Sequence, residues 1–351
     1  MNPRLLQLLV CPSCRSEALE LFPFTGPHDA VLDGIVHCRA CGAQYPLEGG
    51  VLELLPPALQ YQEDRRIFFG RWKDVIRGLG LPDPANTAHG PASAGARQAM
   101  AQQTHFDWYA GNDTQSYSDY AASPFWRAID DVVFAPWKRE VLRAAAERPT
   151  AVLDVGCAQG RSTFHLARLG AQLVAFDVSK HCIRVAQARA REENTNEHMT
   201  FICADSASFP FRTGVFDFVL VYGVLHHVSD PAHACTEIAR VLKPGGTYIG
   251  SENNRTAFRA LFDLLQRLRP AWHELAGPEA LISKSRLDEW MQAAGLRLEA
   301  RTHVFLPPHA VNLLPDRIAR QVLGMTDSFL GALPFFRSNG GLITFTARKP
   351  S

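Results

Sequence analysis

The chain has 351 residues, 46% of them hydrophobic, with 36 basic side chains against 35 acidic ones and a net charge of +1. Such a length holds two domains, or one large domain with additions. The charge balance speaks against a nucleic-acid footprint or a polybasic membrane patch, and no apolar run is long enough for a transmembrane helix. The apolar opening Met1–Val10 runs directly into a Cys-x-x-Cys with no small-residue cleavage site. We therefore expect no signal peptide and a cytoplasmic protein. Of the eight cysteines, four form two Cys-x-x-Cys pairs; Cys157, Cys182, Cys203 and Cys235 are scattered. That usage fits a reducing compartment and a metal site better than a disulfide framework.

Residues 1–57 read as a first unit. Cys11-Pro12-Ser13-Cys14 and Cys38-Arg39-Ala40-Cys41 flank a stretch with the pattern of short strands. The spacing predicts a zinc ribbon in which Cys11, Cys14, Cys38 and Cys41 close a tetrahedral shell around a structural zinc ion. A unit this small lacks the core to fold alone, and the metal supplies the missing free energy. The Leu5-Leu6-x-x-Leu9-x-Cys11-Pro12-x-Cys14 opening and the Tyr45-Pro46-Leu47-x-x-Gly50 close resemble the small zinc proteins that activate tRNA methyltransferases. The resemblance implies either an internal stabiliser for the remainder of the chain or a module that docks substrate. Three arginines (Arg4, Arg15, Arg39) against six acids (Glu17, Glu20, Asp29, Asp33, Glu48, Glu53) argue against a phosphate-binding ribbon.

Residues 58–150 form a helical and linker segment. Ile67–Ile76 has the pattern of an amphipathic helix, and Pro82–Gly95, rich in Pro, Ala, Gly and Ser, reads as a loop or linker. The aromatics of 103–109 and 117–127 suit either a core or a pocket lining.

From residue 151 strands and helices alternate. Strands are expected at 151–155, 171–176, 199–203, 215–222 and 246–252, with helices over Lys180–Glu192 and Pro231–Leu242. A helix over Lys284–Ala294 leads to a strand near 296–305, and 341–347 closes the sheet. This is an α/β pattern of a doubly wound, mostly parallel sheet. Insertions near 253–282, with a helical apolar period from Phe258 to Leu268, and near 306–338 interrupt it. They suit a lid over an apolar substrate or added core packing.

Ala151-Val152-Leu153-Asp154-Val155-Gly156-Cys157-Ala158-Gln159-Gly160 reads as a buried strand turning tightly into a helix, with glycines that admit a ligand to the backbone. Asp154-x-Gly156-x-x-x-Gly160, Asp177 closing Val174-Ala175-Phe176-Asp177, Asp205-Ser206, Tyr222-Gly223-Val224-Leu225-His226-His227, and Leu242-Lys243-Pro244-Gly245-Gly246 occur in that order. Together they resemble the class I S-adenosylmethionine-dependent methyltransferases over residues 151–305 and the closing strand. The resemblance implies a seven-stranded Rossmann-like sheet with S-adenosylmethionine near Asp154, Gly156, Cys157, Gly160, Asp177, Val178, Asp205, Ser206 and Tyr222. Asp177 would accept from the ribose hydroxyls, and Asp205-Ser206 would meet the adenine edge. Ala158 stands where the family often has glycine, which implies altered loop packing. A nicotinamide-binding domain also places an acid about 20 residues after its glycines, but it wants Gly-x-Gly-x-x-Gly. By the same resemblance the segment before the first strand caps the pocket, which makes Tyr117, Tyr120 and Phe125 substrate-side candidates; helix packing is the other reading.

Methyl transfer from a sulfonium is an in-line displacement in which the protein aligns the reactants and excludes water. A hydroxyl or carbon acid needs a general base, and His226 and His227, just past the fourth strand, are the leading candidates, with Glu252 second. His105, His273, His303 and His309 read as surface or packing residues, and Cys157 as a small buried residue. No Asn/Asp-Pro-Pro-Tyr follows the fourth strand, no cysteine is placed to attack a pyrimidine, and there is no basic arm. We expect a small, apolar organic acceptor such as a lipid, quinone or secondary metabolite. An rRNA or tRNA methyltransferase reading through its ribbon is the alternative, and a non-catalytic cofactor-binding scaffold the third. Oligomeric state is not legible.

Overall fold

The structure, a computed structural model, describes residues 1–82, 93–112, 123–256, 281–305 and 310–351. Two knuckle turns begin the fold. In each, the residue after the second cysteine turns left-handed, Arg15 at φ 63° and Gly42 at φ 77°. Their N–H groups donate to the carbonyls of Cys11 and Cys38, each at 2.8 Å. Glycine adopts this conformation freely, whereas arginine loses about 1 kcal/mol. The Arg15 guanidinium offsets that cost across the molecule, donating to the Phe209 carbonyl at 2.7 Å and to Glu237 at 3.1 Å.

Strands β1 (Leu19–Thr25), β2 (Asp33–Cys38), β3 (Gln44–Glu48) and β4 (Val51–Leu54) form an antiparallel meander. The second half supplies β5 (Ala151–Val155), β6 (Gln172–Asp177), β7 (Met199–Ala204), β8 (Phe216–Tyr222), β9 (Leu242–Asn253), β10 (Arg297–His303) and β11 (Leu342–Arg348). All pair into one sheet, in the order β1-β2-β3-β4-β7-β6-β5-β8-β9-β11-β10. β4 lies parallel to β7, with Leu52 opposite Ile202 and Leu54 opposite Ala204. β5 to β9 are mutually parallel, and β11 runs antiparallel between β9 and β10. The near-continuous apolar runs of β5 to β8 are those of strands buried on both faces. The chain order reverses between β5 and β8, which opens a crevice at their carboxyl ends.

One core joins the two halves. Leu5, Leu9, Tyr45, Leu47, Leu52 and Leu54 of the ribbon pack with Phe176, Ile202, Phe209 and Phe211. The Pro231–Val241 and Lys284–Ala293 helices cover the same face of the sheet. The other face carries the Pro124–Glu147, Lys180–Glu192 and Asp316–Leu330 helices. An antiparallel bridge, Leu9 to Phe211, adds a second backbone joint. Caps stop the crevice helices where the sequence provides them: Ser179 accepts from the Cys182 N–H at 3.1 Å, and Asp230, ahead of Pro231, accepts from the His233 N–H at 2.9 Å.

Three of the ribbon's six acids pair with cations outside it. Glu53, 1% exposed, lies 3.4 Å from the Lys180 ammonium, itself 3% exposed. Lys180 also meets Asp64 at 2.9 Å and Glu48 at 3.6 Å, while Glu48 takes Arg184 at 2.9 Å and Glu17 takes Arg212 at 3.0 Å. Burial raises the Glu53 carboxyl, and its lysine and arginine neighbours act against that rise.

Some expected elements differ. Ile67–Ile76 is not one helix but parts of two, Gln62–Arg71 and Lys73–Gly78, broken at Trp72, whose ring packs on Phe24 of β1. The fifth strand starts earlier than expected, at Leu242, because the Gly245 turn at φ 74° stays paired to the chain end through Lys349. The apolar helical period of 258–268 lies outside the described residues. Among the described residues no helix is long and apolar enough to cross a membrane.

Removing one partner of a buried ion pair leaves the other uncompensated. Lys180→Met should cost about 3 kcal/mol in urea unfolding, and adding Glu53→Gln should restore much of it. An unchanged midpoint for Lys180→Met would show that the pair does not hold the two halves together.

Candidate active site

β5 ends at Val155, and the chain turns through Gly156 at φ 64°, Ala158 at φ 45° and Gly160 at φ 87° into the Arg161–Leu166 helix. A Cβ on Gly156 would meet the Val224 side chain at 2.7 Å, and one on Gly160 the Phe164 ring at 2.6 Å. Ala158 accepts its left-handed turn because its N–H donates to Asp177 Oδ2 at 2.9 Å. The second Asp177 oxygen takes the Ser179 N–H at 2.8 Å. Asp177 thus ties the ends of β5 and β6 together, and each oxygen keeps a lone pair for a further donor.

Asp154 is fully buried. Its Oδ2 accepts from Ser162 at 2.8 Å and Thr163 at 2.6 Å, and its Oδ1 is buried without a partner. Burial pushes its carboxyl up to about 7 and that of Asp177 up to about 6. Asp205, raised by burial, accepts from the Ala207 N–H at 3.0 Å, with Ser206 half-buried beside it. Cys157 is buried, and burial pushes its thiol well up, so it offers no nucleophile at neutral pH. An orphaned carboxylate oxygen and a glycine-lined turn fit a bound group that carries donors and positive charge.

Across the crevice, β8 delivers Tyr222 and the turn Leu225–His227. His226 is buried, and its Nδ1 lies 2.7 Å from Glu252 Oε2. The other Glu252 oxygen accepts the N–H groups of Val224 at 3.0 Å and Leu225 at 2.7 Å. Glu252 is 1% exposed and His226 6%, so the pair is held inside the fold. The His227 ring lies tilted against that of His226, 4.0 Å between centroids, and burial pushes its imidazole down to about 3, helped by His226 and His105. Tyr222 donates to Asp130 Oδ1 at 3.2 Å, and Arg161 donates to the same oxygen at 2.8 Å. The guanidinium lies over Trp126 at 5.0 Å and Tyr222 at 5.5 Å.

The Ala94–Asn112 helix bridges the two sides. Gln98 donates to the His227 carbonyl at 3.1 Å, and Gln103 donates to the Val178 carbonyl at 3.1 Å. Asp107 accepts from Ser179 at 2.5 Å and from Tyr61 at 2.8 Å. Sequence reading missed Asp130, Gln98, Gln103 and Asp107, because single polar residues on helices carry no signal until tertiary packing gives them partners. Of the substrate-side candidates, Phe125 is buried in the core and donates its N–H to Asn312. Tyr117 and Tyr120 lie outside the described residues, as do His273 and His309. His303 is a packing residue, held between Asp327 at 2.9 Å and Thr344 at 2.8 Å.

At the far end, the four ribbon thiols converge to within 4.8 Å of one another. Cys11 and Cys41 lie 3.7 Å apart, and Cys14 and Cys38 3.6 Å. A tetrahedral zinc site with Zn–S bonds of about 2.3 Å has edges of about 3.8 Å, so the set matches that shell. Tyr45 lies 3.1 Å from Cys11 Sγ, a partner around the ligands.

A family model described as a methyltransferase domain matches residues 153–250. A ubiquinone biosynthesis O-methyltransferase of Xanthomonas axonopodis pv. citri is 33% identical over 171 residues, covering 47% of this chain and 70% of the relative. The chain belongs to the class I S-adenosylmethionine-dependent methyltransferases. The enzyme of the same name from Alkalilimnicola ehrlichii is 34% identical over 155 residues, 42% of this chain; the match spans 61% of that relative's length. Among solved structures, a chain of the complex between the Haloferax volcanii Trm112 methyltransferase activator and a methyltransferase is 21% identical. It covers 70% of this chain and 98% of its own, with a TM-score of 0.45.

The raised carboxyls set a pH dependence for this methyltransferase. A cationic cofactor that required Asp154 and Asp177 ionised would bind more tightly as pH rises from about 5 to about 7.5, by well over tenfold, with proton release. The stability of the free protein should run the other way. Acids raised on folding contribute most at low pH, and that contribution is lost as pH climbs through about 6 to 7. Calorimetric titration in buffers of different ionisation heat measures both; a pH-independent affinity would remove these acids from the cofactor site.

Proposed function

We propose that this methyltransferase transfers the methyl group of S-adenosylmethionine to a hydroxyl of an apolar, quinone-type acceptor. The observation that carries the reading is the buried Glu252–His226 pair at the end of β8, beside the glycine turn. The names of the relatives support an oxygen acceptor on a ubiquinone precursor. S-adenosylmethionine supplies an electrophilic methyl on a sulfonium. Asp154, Gly156, Cys157, Gly160 and Tyr222 would border its amino-acid end, Asp177 and Val178 its ribose, and Asp205 and Ser206 its adenine. Glu252, accepting from His226 Nδ1, would fix the tautomer so that Nε2 could take the acceptor's hydroxyl proton, while bound S-adenosylmethionine would supply the methyl group and leave as S-adenosylhomocysteine. The carboxylate stabilises the imidazolium that forms. His227, a much weaker base, lines the site in neutral form.

The ribbon is read as a structural zinc unit, because its thiols have tetrahedral spacing and three of its six acids pair with the methyltransferase's own cations. That use of the acids disfavours RNA docking through the ribbon. A reduced four-thiolate site supports a cytoplasmic protein. One zinc per chain is expected by elemental analysis, and a strong chelator should lower the melting temperature of the whole chain, since the ribbon shares its core. A zinc-free protein of equal stability would refute this.

The deciding experiment is transfer of labelled methyl to a cell extract, with RNA, protein and solvent-extractable pools counted separately. Label is expected in the extractable pool; label in RNA would overturn the reading. His226→Gln should lower kcat about a hundredfold or more, leave cofactor affinity in place, and regain rate at higher pH where the acceptor ionises unaided.

A further inference from the structure

Half of the large apolar side chains exposed among the described residues lie within 313–335, around the Asp316–Leu330 helix. The other half are scattered over the first 142 residues. Scattered apolar residues on a surface need no explanation, whereas a contiguous set marks an interaction site. One side of the helix is already used: Ala319 and Leu323 pack into the core, and Asp327 on that side holds His303 at 2.9 Å. At about 100° per residue, Ile318, Val322, Met325 and Phe329 form a second stripe about a third of a turn round the helix. Ile318 is 47% exposed, Met325 and Phe329 are 72% exposed, and Val322 between them is half-buried. The apolar arc of this helix is thus about twice as wide as the side that packs. The stripe is spaced four, three and four residues, the same from either end. Its flanks repeat the symmetry, with Leu314 four residues before Ile318 and Leu333 four after Phe329, both exposed.

We propose that this stripe is a self-association surface, covered by the same stripe of a second copy of the chain, with the two helices antiparallel about a two-fold axis. A two-fold interface is isologous, so the surface has to be complementary to itself. In that arrangement Ile318 faces Phe329 of the second copy, Val322 faces Met325, and Leu314 meets Leu333. The palindromic spacing sets every apolar position against an apolar partner, which a two-fold pairing requires and a lipid surface does not. Charge agrees. The helix carries Asp316 and Asp327 against Arg317 and Arg320, which cancel. Arg320 is held by Asp131 at 2.8 Å and by Asp316 at 3.0 Å. A helix lying on an anionic membrane has a polar face rich in Lys and Arg, which this one lacks. Area agrees as well. Side chains exposed to this degree present on the order of 100 Å² each, so the set approaches the roughly 800 Å² that each partner buries in a standard interface.

The test is sedimentation velocity of the full-length zinc-loaded chain from nanomolar to high micromolar concentration. Wild type should be a dimer with a micromolar or tighter Kd. Ile318→Lys and Phe329→Glu should each weaken dimerisation about a hundredfold or more, because each change enters a two-fold interface twice. Met325→Ser, which only trims an exposed side chain, should weaken it about tenfold. An equimolar mixture of Ile318→Lys and Phe329→Glu chains should regain most of the wild-type affinity. The mixed dimer sets the new ammonium against the new carboxylate at one end and keeps the native pair at the other. Ile67→Glu, at an exposed apolar position elsewhere, should change nothing. A wild type that stays monomeric at the highest concentration overturns the proposal. So does a dimer indifferent to these changes, or a mixture that stays monomeric. Monomeric wild type that floats with vesicles of phosphatidylcholine and phosphatidylglycerol, and is released by Phe329→Glu, would assign the stripe to a lipid surface instead.

Discussion

The parallel pairing of β4 with β7 is the constraint on which the rest of the structure depends. β7 is apolar on both faces, and as the last strand of a parallel sheet it would leave its backbone groups open to water or to another chain. β4, all four residues buried, takes that edge and carries the ribbon with it. Once the strands are paired, the ribbon's leucines and Tyr45 fall onto the same core as Phe176, Phe209 and Phe211. The Glu53 carboxylate then has to be buried beside Lys180, because both flank that seam. Metal site, sheet edge and ion network stand or fall together.

The seam also reaches the chemistry. Lys180 opens the helix after Asp177, and its N–H donates to Tyr61, which in turn donates to Asp107 on the helix that bridges the crevice. The residues joining ribbon and sheet therefore hold the turn after β6 in place. From the other side, Asp130 draws Tyr222 and Arg161 together, and Glu252 holds the backbone of the His226 turn as well as its ring. The crevice is built from groups whose own hydrogen bonds are spent on position, an arrangement that favours alignment of a displacement over bond-making by the protein.

Electrostatics in the crevice arise from burial more than from charge pairing. Asp154 and Asp177 are raised by burial, while His227 is lowered by burial and stays neutral.

The alternation of strands and helices from residue 151, the glycine turn and the paired cysteines were legible because each rests on local chemistry: period, left-handed backbone and ligand spacing. The apolar runs of β5 to β8 and the capped Lys180–Glu192 helix were readable for the same reason. Other features were decided only by the tertiary structure, because they depend on residues far apart in sequence. That the ribbon's acids neutralise Lys180, Arg184 and Arg212 could not be read from their count. Nor could the 2.7 Å contact between Glu252 and His226, which joins the ends of two strands. Phe125 belongs to the core because its helix packs on the sheet, and Phe106 meets His227 because a helix crosses from one strand end to another. Sequence alone determined the elements and the chemistry each can carry; packing determined which of those groups meet, since contact across hundreds of residues is a property of the folded chain.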